Sequence, residues 1–199
     1  MPRDLSGLLG SRLCHDLISP VGAISNGLEL VGMTATPQSA EMQLVAESVR
    51  NAQARIRFFR VAFGTSRADQ ALGSPELSEV LAGVYGVGRL TVVWNTKGEV
   101  ARDQAKLAFL LILCIEAGLS RGGTIEVTRH AKGWTIAGAG QRYRDLADFW
   151  PELDGAGATA DITPERVQFP LALLQAKAAG FSLCVRTGND GICIEASRA

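Results

Sequence analysis

The chain has 199 residues, 47% of them apolar, and its 20 basic and 20 acidic side chains cancel to a formal net charge of zero. This is the composition of a folded globular protein; the charge balance argues against a general binder of nucleic acid or other polyanions, and no apolar run reaches the roughly 18 residues that would cross a membrane. The start, MPRDLSG, lacks the apolar centre of a signal peptide, and four scattered cysteines (Cys14, Cys114, Cys184, Cys193) show neither zinc-like pairing nor a disulfide framework, which points to a reduced, cytoplasmic protein.

Asp4 is a good N-cap, and the pattern after it predicts a first helix to about Val31, roughly 28 residues and about 42 Å long. At about 100° per residue, Leu5, Leu9, Leu13, Leu17, Pro20, Ile24, Leu28 and Val31 fall along one stripe. His15 lands nearly opposite, beside Ser11, Arg12, Ser19, Gly22 and Asn26. A histidine on an apolar face is usually a packed one; an imidazole facing water beside a carboxylate, here Asp16, is poised for chemistry near neutral pH. Pro20 removes the amide that would bond the Asp16 carbonyl, so a kink is expected. Its position five residues after His15 favours a functional bend over a merely tolerated one.

Gly32 to Thr36 reads as a turn, and Thr36-Pro37 opens a second helix with proline at its first position. Along it Met42, Val45, Val49, Ala52, Ile56, Phe59 and Phe63 alternate spacings of three and four, a heptad seam. Two antiparallel helices on a short loop form a hairpin, and Leu44, Phe58 and Val61 lie off its seam. Pairing two hairpins into a four-helix bundle would cover them, which predicts a homodimer. The alternative is that a second domain of the same chain covers them. The arginines here (Arg50, Arg55, Arg57 and Arg60, with Arg67 beyond) read either as a solvated face or as a patch toward an acidic partner or phosphate.

Residues 64–75 (GTSRADQALGSP) read as a linker between a helical domain, 1–70, and a second domain, 76–199. Pro75-Glu76 opens a short helix to about Gly86, and Arg89 to Asn95 is strand-like. Asp103 to Leu119 is a helix apolar on most sides and therefore buried. Thr124 to Thr128 is an alternating strand, and Trp134 to Ala137 returns antiparallel to it. Tyr143 to Ala160 is irregular. Thr163-Pro164-Glu165 starts a helix to about Ala179, stopped by Gly180. A final hairpin pairs Phe181 to Arg186 with Gly191 to Ala196. The fold class is α+β: a helical hairpin forming a dimeric four-helix bundle, followed by an α/β sandwich with helices on one face of a mixed sheet.

The run Leu13-Cys14-His15-Asp16-Leu17-Ile18-Ser19-Pro20 spells His-acid-Leu-x-Ser-Pro and resembles the H-box of histidine kinases, whose histidine carries a phosphoryl group. The longer run at residues 11–24, SRLCHDLISPVGAI, is closer to the ChpT-type histidine phosphotransferases of alphaproteobacteria; Ile18 replaces the arginine common in kinase H-boxes. The element order over 76–199 resembles the ATP-binding domain of histidine kinases in degenerate form. The long helix has no metal-holding asparagine, Ile136-Ala137-Gly138-Ala139-Gly140 lacks the adenine-reading aspartate, and the glycine-rich phosphate box has become Val167-Gln168-Phe169-Pro170-Leu171.

The resemblance implies a phosphorelay protein that does not use ATP. Neutral His15 would take a phosphoryl group from the receiver domain of a hybrid histidine kinase of the CckA type and pass it to response regulators of the CtrA and CpdR type. Asp16 would hold the imidazole's tautomer or orientation. The receiver would supply Mg²⁺, so no cofactor or metal of the chain's own is expected. Leu8, Ile18 and Gly22 form a collar suited to a receiver's face, next to Ser19; Arg12 and Asn26 could contact its acidic rim or the phosphoryl group. Cys14 and His15 point about 100° apart and cannot clamp one ion alone. A rival of a different class is a dimeric, non-catalytic scaffold that binds response regulators; an acid-labile phosphate on His15 separates the two.

Overall fold

The computed structural model describes residues 4–33, 40–66, 69–144, 146–188 and 191–198. Helix α1 (Leu5–Met33) begins where its cap predicts. The Asp4 carboxylate accepts the Gly7 amide at 2.9 Å, satisfying a donor that the first turn cannot, and the Asp4 carbonyl accepts the Leu8 amide at 3.1 Å as the first bond of the helix. Pro20 is buried inside it, and the helix continues through. Helix α2 (Ala40–Ala62) returns antiparallel, with residues 12–16 beside 55–59 and 19–23 beside 48–51. The expected helix start at Thr36-Pro37 lies outside the described residues, as does Arg67. Among the described residues, no helix is long and apolar enough to cross a membrane.

The stretch read as linker carries a short strand, β1 (Ala71–Gly73), which leads directly into α3 (Ser74–Tyr85). It pairs antiparallel with β3 (Glu99–Ala101). The main sheet runs in the order β2 (Leu90–Asn95), β4 (Gly123–His130), β5 (Gly133–Ala139), β7 (Gly191–Ser197), β6 (Ser182–Gly188). β2 and β4 are parallel, joined through helix α4 (Arg102–Gly118); the other neighbours are antiparallel. A short helix, α5 (Trp150–Leu153), interrupts the stretch expected to be irregular. The helix expected from Thr163 instead starts as a 3-10 turn at Pro164–Arg166, and α6 (Gln168–Ala178) follows.

One face of the sheet is covered: Ile125, Val127, Trp134, Ile136 and Ile194 are buried while their neighbours along each strand point the other way. α4 lies in the centre of the covering layer, which is why its apolar residues go all the way round: residues 107–112 are fully buried between sheet and helices.

α2 belongs to this core too. Phe58 is 2% exposed, with its ring 5.0 Å from Phe109 and 5.9 Å from Tyr85, and Val61 is buried beside it. The expectation that these two residues are covered by a second hairpin is therefore corrected: the chain's own second domain covers them, and Leu44 stays exposed. The C-terminus of α2 is held from the same side. Arg102 donates to the carbonyls of Val61 (2.8 Å) and Arg60, and Lys106 donates to that of Gly64 at 3.0 Å. Those of Arg60 and Val61 are carbonyls that a helix end leaves unpartnered, and cations suit them; Gly64 lies just beyond the helix.

Candidate functional site

α1 presents His15 as its periodicity predicts. The side chain is 78% exposed, on a face shared with Ile18, Ser19, Gly22 and Asn26, all exposed, and half-buried Leu8. Ile18 is 68% exposed, a large apolar group with no cover, and a Cβ placed on Gly22 would meet nothing within 4 Å. Leu8, Ile18 and Gly22 thus lie on the same face of the helix as the imidazole. His130 lies elsewhere, its Nε2 at 3.0 Å from the Thr135 hydroxyl.

Asp16 faces His15 sideways: its Oδ1 is 3.3 Å from His15 Nδ1, a long contact for a hydrogen bond. Its other oxygen, Oδ2, accepts from Arg12 Nε at 2.8 Å across one helical turn. Arg12, expected at the edge of a docked partner, is engaged within the chain through Nε and Nη1. Its Nη1 donates to Gln168 Oε1 at 3.1 Å and to the Glu165 carbonyl at 3.2 Å, both in the second domain. The Thr163 hydroxyl holds the Glu165 carboxyl below its ordinary value, with smaller effects from His15 and Arg12.

Two polar cavities flank Asp16. One, about 300 Å³, lies between the hairpin helices and is lined by His15, Ser19, Ser48, Asn51 and Arg55. The other, about 200 Å³, lies between hairpin and second domain, with Arg12, Arg55, Tyr85 and Glu116 in its wall. Arg55 borders both, its Nε donating to Asn51 Oδ1 at 3.1 Å. In the second cavity the Tyr85 hydroxyl donates to Glu116 Oε2 at 2.8 Å. Burial raises the Glu116 pKa above the ordinary carboxylate value, against the Tyr85 hydrogen bond and the nearby arginines, which lower it. Burial and then Glu116 itself push the Tyr85 hydroxyl upward. Glu116 is thus a structural acid.

The segments that stand where the nucleotide boxes would be are packed. Gly138 lies in β5 under α4, where an added Cβ would collide with Ile115 Cγ2. At the start of α6, Phe169 is fully buried, its ring 5.7 Å from Phe149 and 5.3 Å from Trp150. Gln168 is the one polar residue of that box, and it is the residue that meets Arg12. Sequence reasoning passed over Gln168, Asn51 and Tyr85. The first left a signal, a lone polar side chain in an apolar run; the others left none.

The histidine phosphotransferase C-terminal domain family matches residues 74–191. Protein phosphotransferase ChpT of Brucella abortus is 31% identical over 97% of this chain and 95% of its own length. A solved structure described as a bacterial phosphotransferase superposes with a TM-score of 0.81 at 30% identity, covering 99% of this chain and 97% of that one. The histidine kinase AdeS of Acinetobacter baumannii matches at 12% identity with a TM-score of 0.46, over 92% and 97% of the two chains. With that family's model matching residues 74–191 and a relative 31% identical over nearly the whole of both chains, this chain belongs to the histidine phosphotransferase family.

Proposed function

We propose that His15 is the phosphoacceptor of a phosphorelay between receiver domains, and that its Nε2 is the reacting atom. The observation that carries this is the imidazole's pose: Nδ1 faces Asp16, while Nε2 has no protein partner among the described residues. Nε2 of the neutral ring attacks the phosphorus of a receiver's aspartyl phosphate; the N–P bond forms and the P–O bond to the aspartate carboxylate breaks. The reverse of this step delivers the group to a second receiver. The proton on Nδ1 stays in place, and Asp16 offsets the positive charge the ring gains. Mg²⁺ comes with the receiver, and neither metal nor nucleotide is needed from this chain. Packing of Gly138 against Ile115 and of Phe169 against Trp150 supports the absence of an ATP site.

The apolar collar of Leu8, Ile18 and Gly22 is the surface a receiver covers, with Ser19 and Asn26 at its edge. Receivers of a CckA-type hybrid kinase on one side and CtrA- or CpdR-type regulators on the other fit this reading, in a cytoplasmic setting. Val21 and Leu28 are seven residues apart, Met42 and Ile56 fourteen, and all four are exposed. Each pair marks one apolar edge of its helix, and a second copy covers them in a homodimeric four-helix bundle. The test is to incubate the full-length protein with a phosphorylated receiver domain. An acid-labile phosphate should appear on the wild-type chain and be absent from His15→Ala; label on that variant would refute the assignment.

A further inference from the structure

We infer that Arg12 is a positioning residue for the reaction proposed above, and that the second domain sets the His15 imidazole through it. The inference rests on that reading of His15 and adds to it a part for a domain that has no nucleotide to offer. Four side chains from two helices, α1 and α6, form one path: Gln168 to Arg12, Arg12 to Asp16, Asp16 to His15.

Each link has a physical reason. Gln168 is 1% exposed and seated at the first turn of α6. Its carbonyl oxygen and the Glu165 main-chain carbonyl are two fixed acceptors for one edge of the guanidinium. A guanidinium is planar and its donors keep a rigid fork, so fixing Nη1 fixes the direction of Nε. Nε then takes Asp16 Oδ2 at 2.8 Å, and the Arg12 and Asp16 side chains are only 16% exposed. A carboxylate held by one oxygen in this way can turn its other oxygen only toward a limited region, and that region contains His15 Nδ1.

What this does for the chemistry follows from the tautomers of neutral imidazole. Only the form with its proton on Nδ1 leaves a lone pair on Nε2, and a carboxylate facing Nδ1 selects that form. The contact is loose at rest, at 3.3 Å, and gains strength as the ring becomes cationic during attack. An interaction that tightens toward the transition state raises the rate rather than the affinity. The second domain thus contributes from behind the histidine, through Arg12 and Asp16.

Histidine-selective ¹⁵N NMR of the full-length protein at pH 8.5, well above the free imidazole value of about 6.5, reads the tautomer directly. His130, the only other histidine, is an internal reference. Wild type should show the Nδ1–H form at His15; Arg12→Met and Gln168→Met should move it toward Nε2–H with unchanged circular dichroism. Gln168→Glu keeps an acceptor at that place and should retain the wild-type signal. Receiver-free phosphorylation by potassium phosphoramidate, in which the N–P bond to Nε2 forms as ammonia departs, should be slowed about tenfold by Arg12→Met, with Gln168→Glu near wild type. Unchanged tautomer and rate in Arg12→Met would overturn the inference, and so would Gln168→Glu behaving like Gln168→Met. If Arg12→Met does not fold, the two Gln168 variants decide alone. Should wild type take no phosphate on His15, the proposed function fails, while the tautomer comparison still decides the part played by Arg12.

Discussion

Truncating Phe58 tests whether α2 is a strut of the second domain or an independent dimerisation helix. The ring is 2% exposed and meets Phe109 at 5.0 Å, Tyr85 at 5.9 Å and Phe59 at 6.2 Å between centroids. Buried Phe→Ala changes cost about 3–5 kcal/mol, and aromatic pairs contribute about 0.5–1.5 kcal/mol each beyond area alone. With three ring partners the expected loss is in the upper part of that range, about 4–5 kcal/mol. For a urea slope of about 2.5 kcal/mol/M this moves the midpoint by about 1.8 M. Far-UV circular dichroism reports mostly the helices. Fluorescence of Trp94, Trp134 and Trp150 reports only the second domain. Both probes should shift together, by the same amount at low and high protein concentration. A shift below about 0.5 M would refute the placement of Phe58. So would a loss that grows on dilution, since that would put the ring between copies of the chain.

Burial holds the folded-state pKa of Glu116 above its ordinary value of 4.5, so the native state keeps a proton that the unfolded chain releases. Stability therefore falls as pH rises from about the ordinary value through the raised one, and Glu116→Gln should match wild type near pH 4 and exceed it at pH 8 in thermal denaturation; a gap independent of pH would count against this. Arg102→Met uncaps two carbonyls at the end of α2 and should cost about 1.5–3 kcal/mol in urea unfolding, without lowering phosphoryl uptake per folded molecule. Gly138→Ala forces a methyl against Ile115 and should cost about 1–3 kcal/mol by the same assay. Met42→Asp combined with Ile56→Asp should give monomers in sedimentation at micromolar concentration with helical content retained, and a variant that stays dimeric would contradict the bundle.

The face of α1 was legible because it depends on a single helical period: Leu9, Leu13 and Leu17 point one way, so His15 and Ile18 point elsewhere. α4 was legible as buried because residues 107–115 are apolar on every side. Phe58 was not, since the same residue can be covered by any apolar surface; what covers it, Phe109, is 51 positions away and carries no mark in the text of α2. Arg12 and Gln168 are separated by 156 positions, and an arginine on an amphipathic helix looks the same whether it meets solvent, a partner or a buried amide. β1 and β3 are three residues each, too short for alternation to show against turn residues. The start of α6 was misplaced because Pro164 signals a helix opening, and the first turn it opens has 3-10 geometry.

The end of α2, with Phe58 in the second domain's core and its last carbonyls held by Arg102, bears on how such proteins can diversify. A hairpin exchanged for another would have to bring a ring that fits against Phe109 and a helix end that meets Arg102, so the two halves are coupled rather than freely interchangeable parts. On the reading proposed above, changes of partner preference accumulate as point substitutions on the outward side of α1, where Ile18 is 68% exposed and a Cβ on Gly22 would meet nothing within 4 Å. Lineages of this protein should show drift concentrated on that strip and joint change on either side of the α2 junction, and a designer rewiring the relay would do well to work within the same strip.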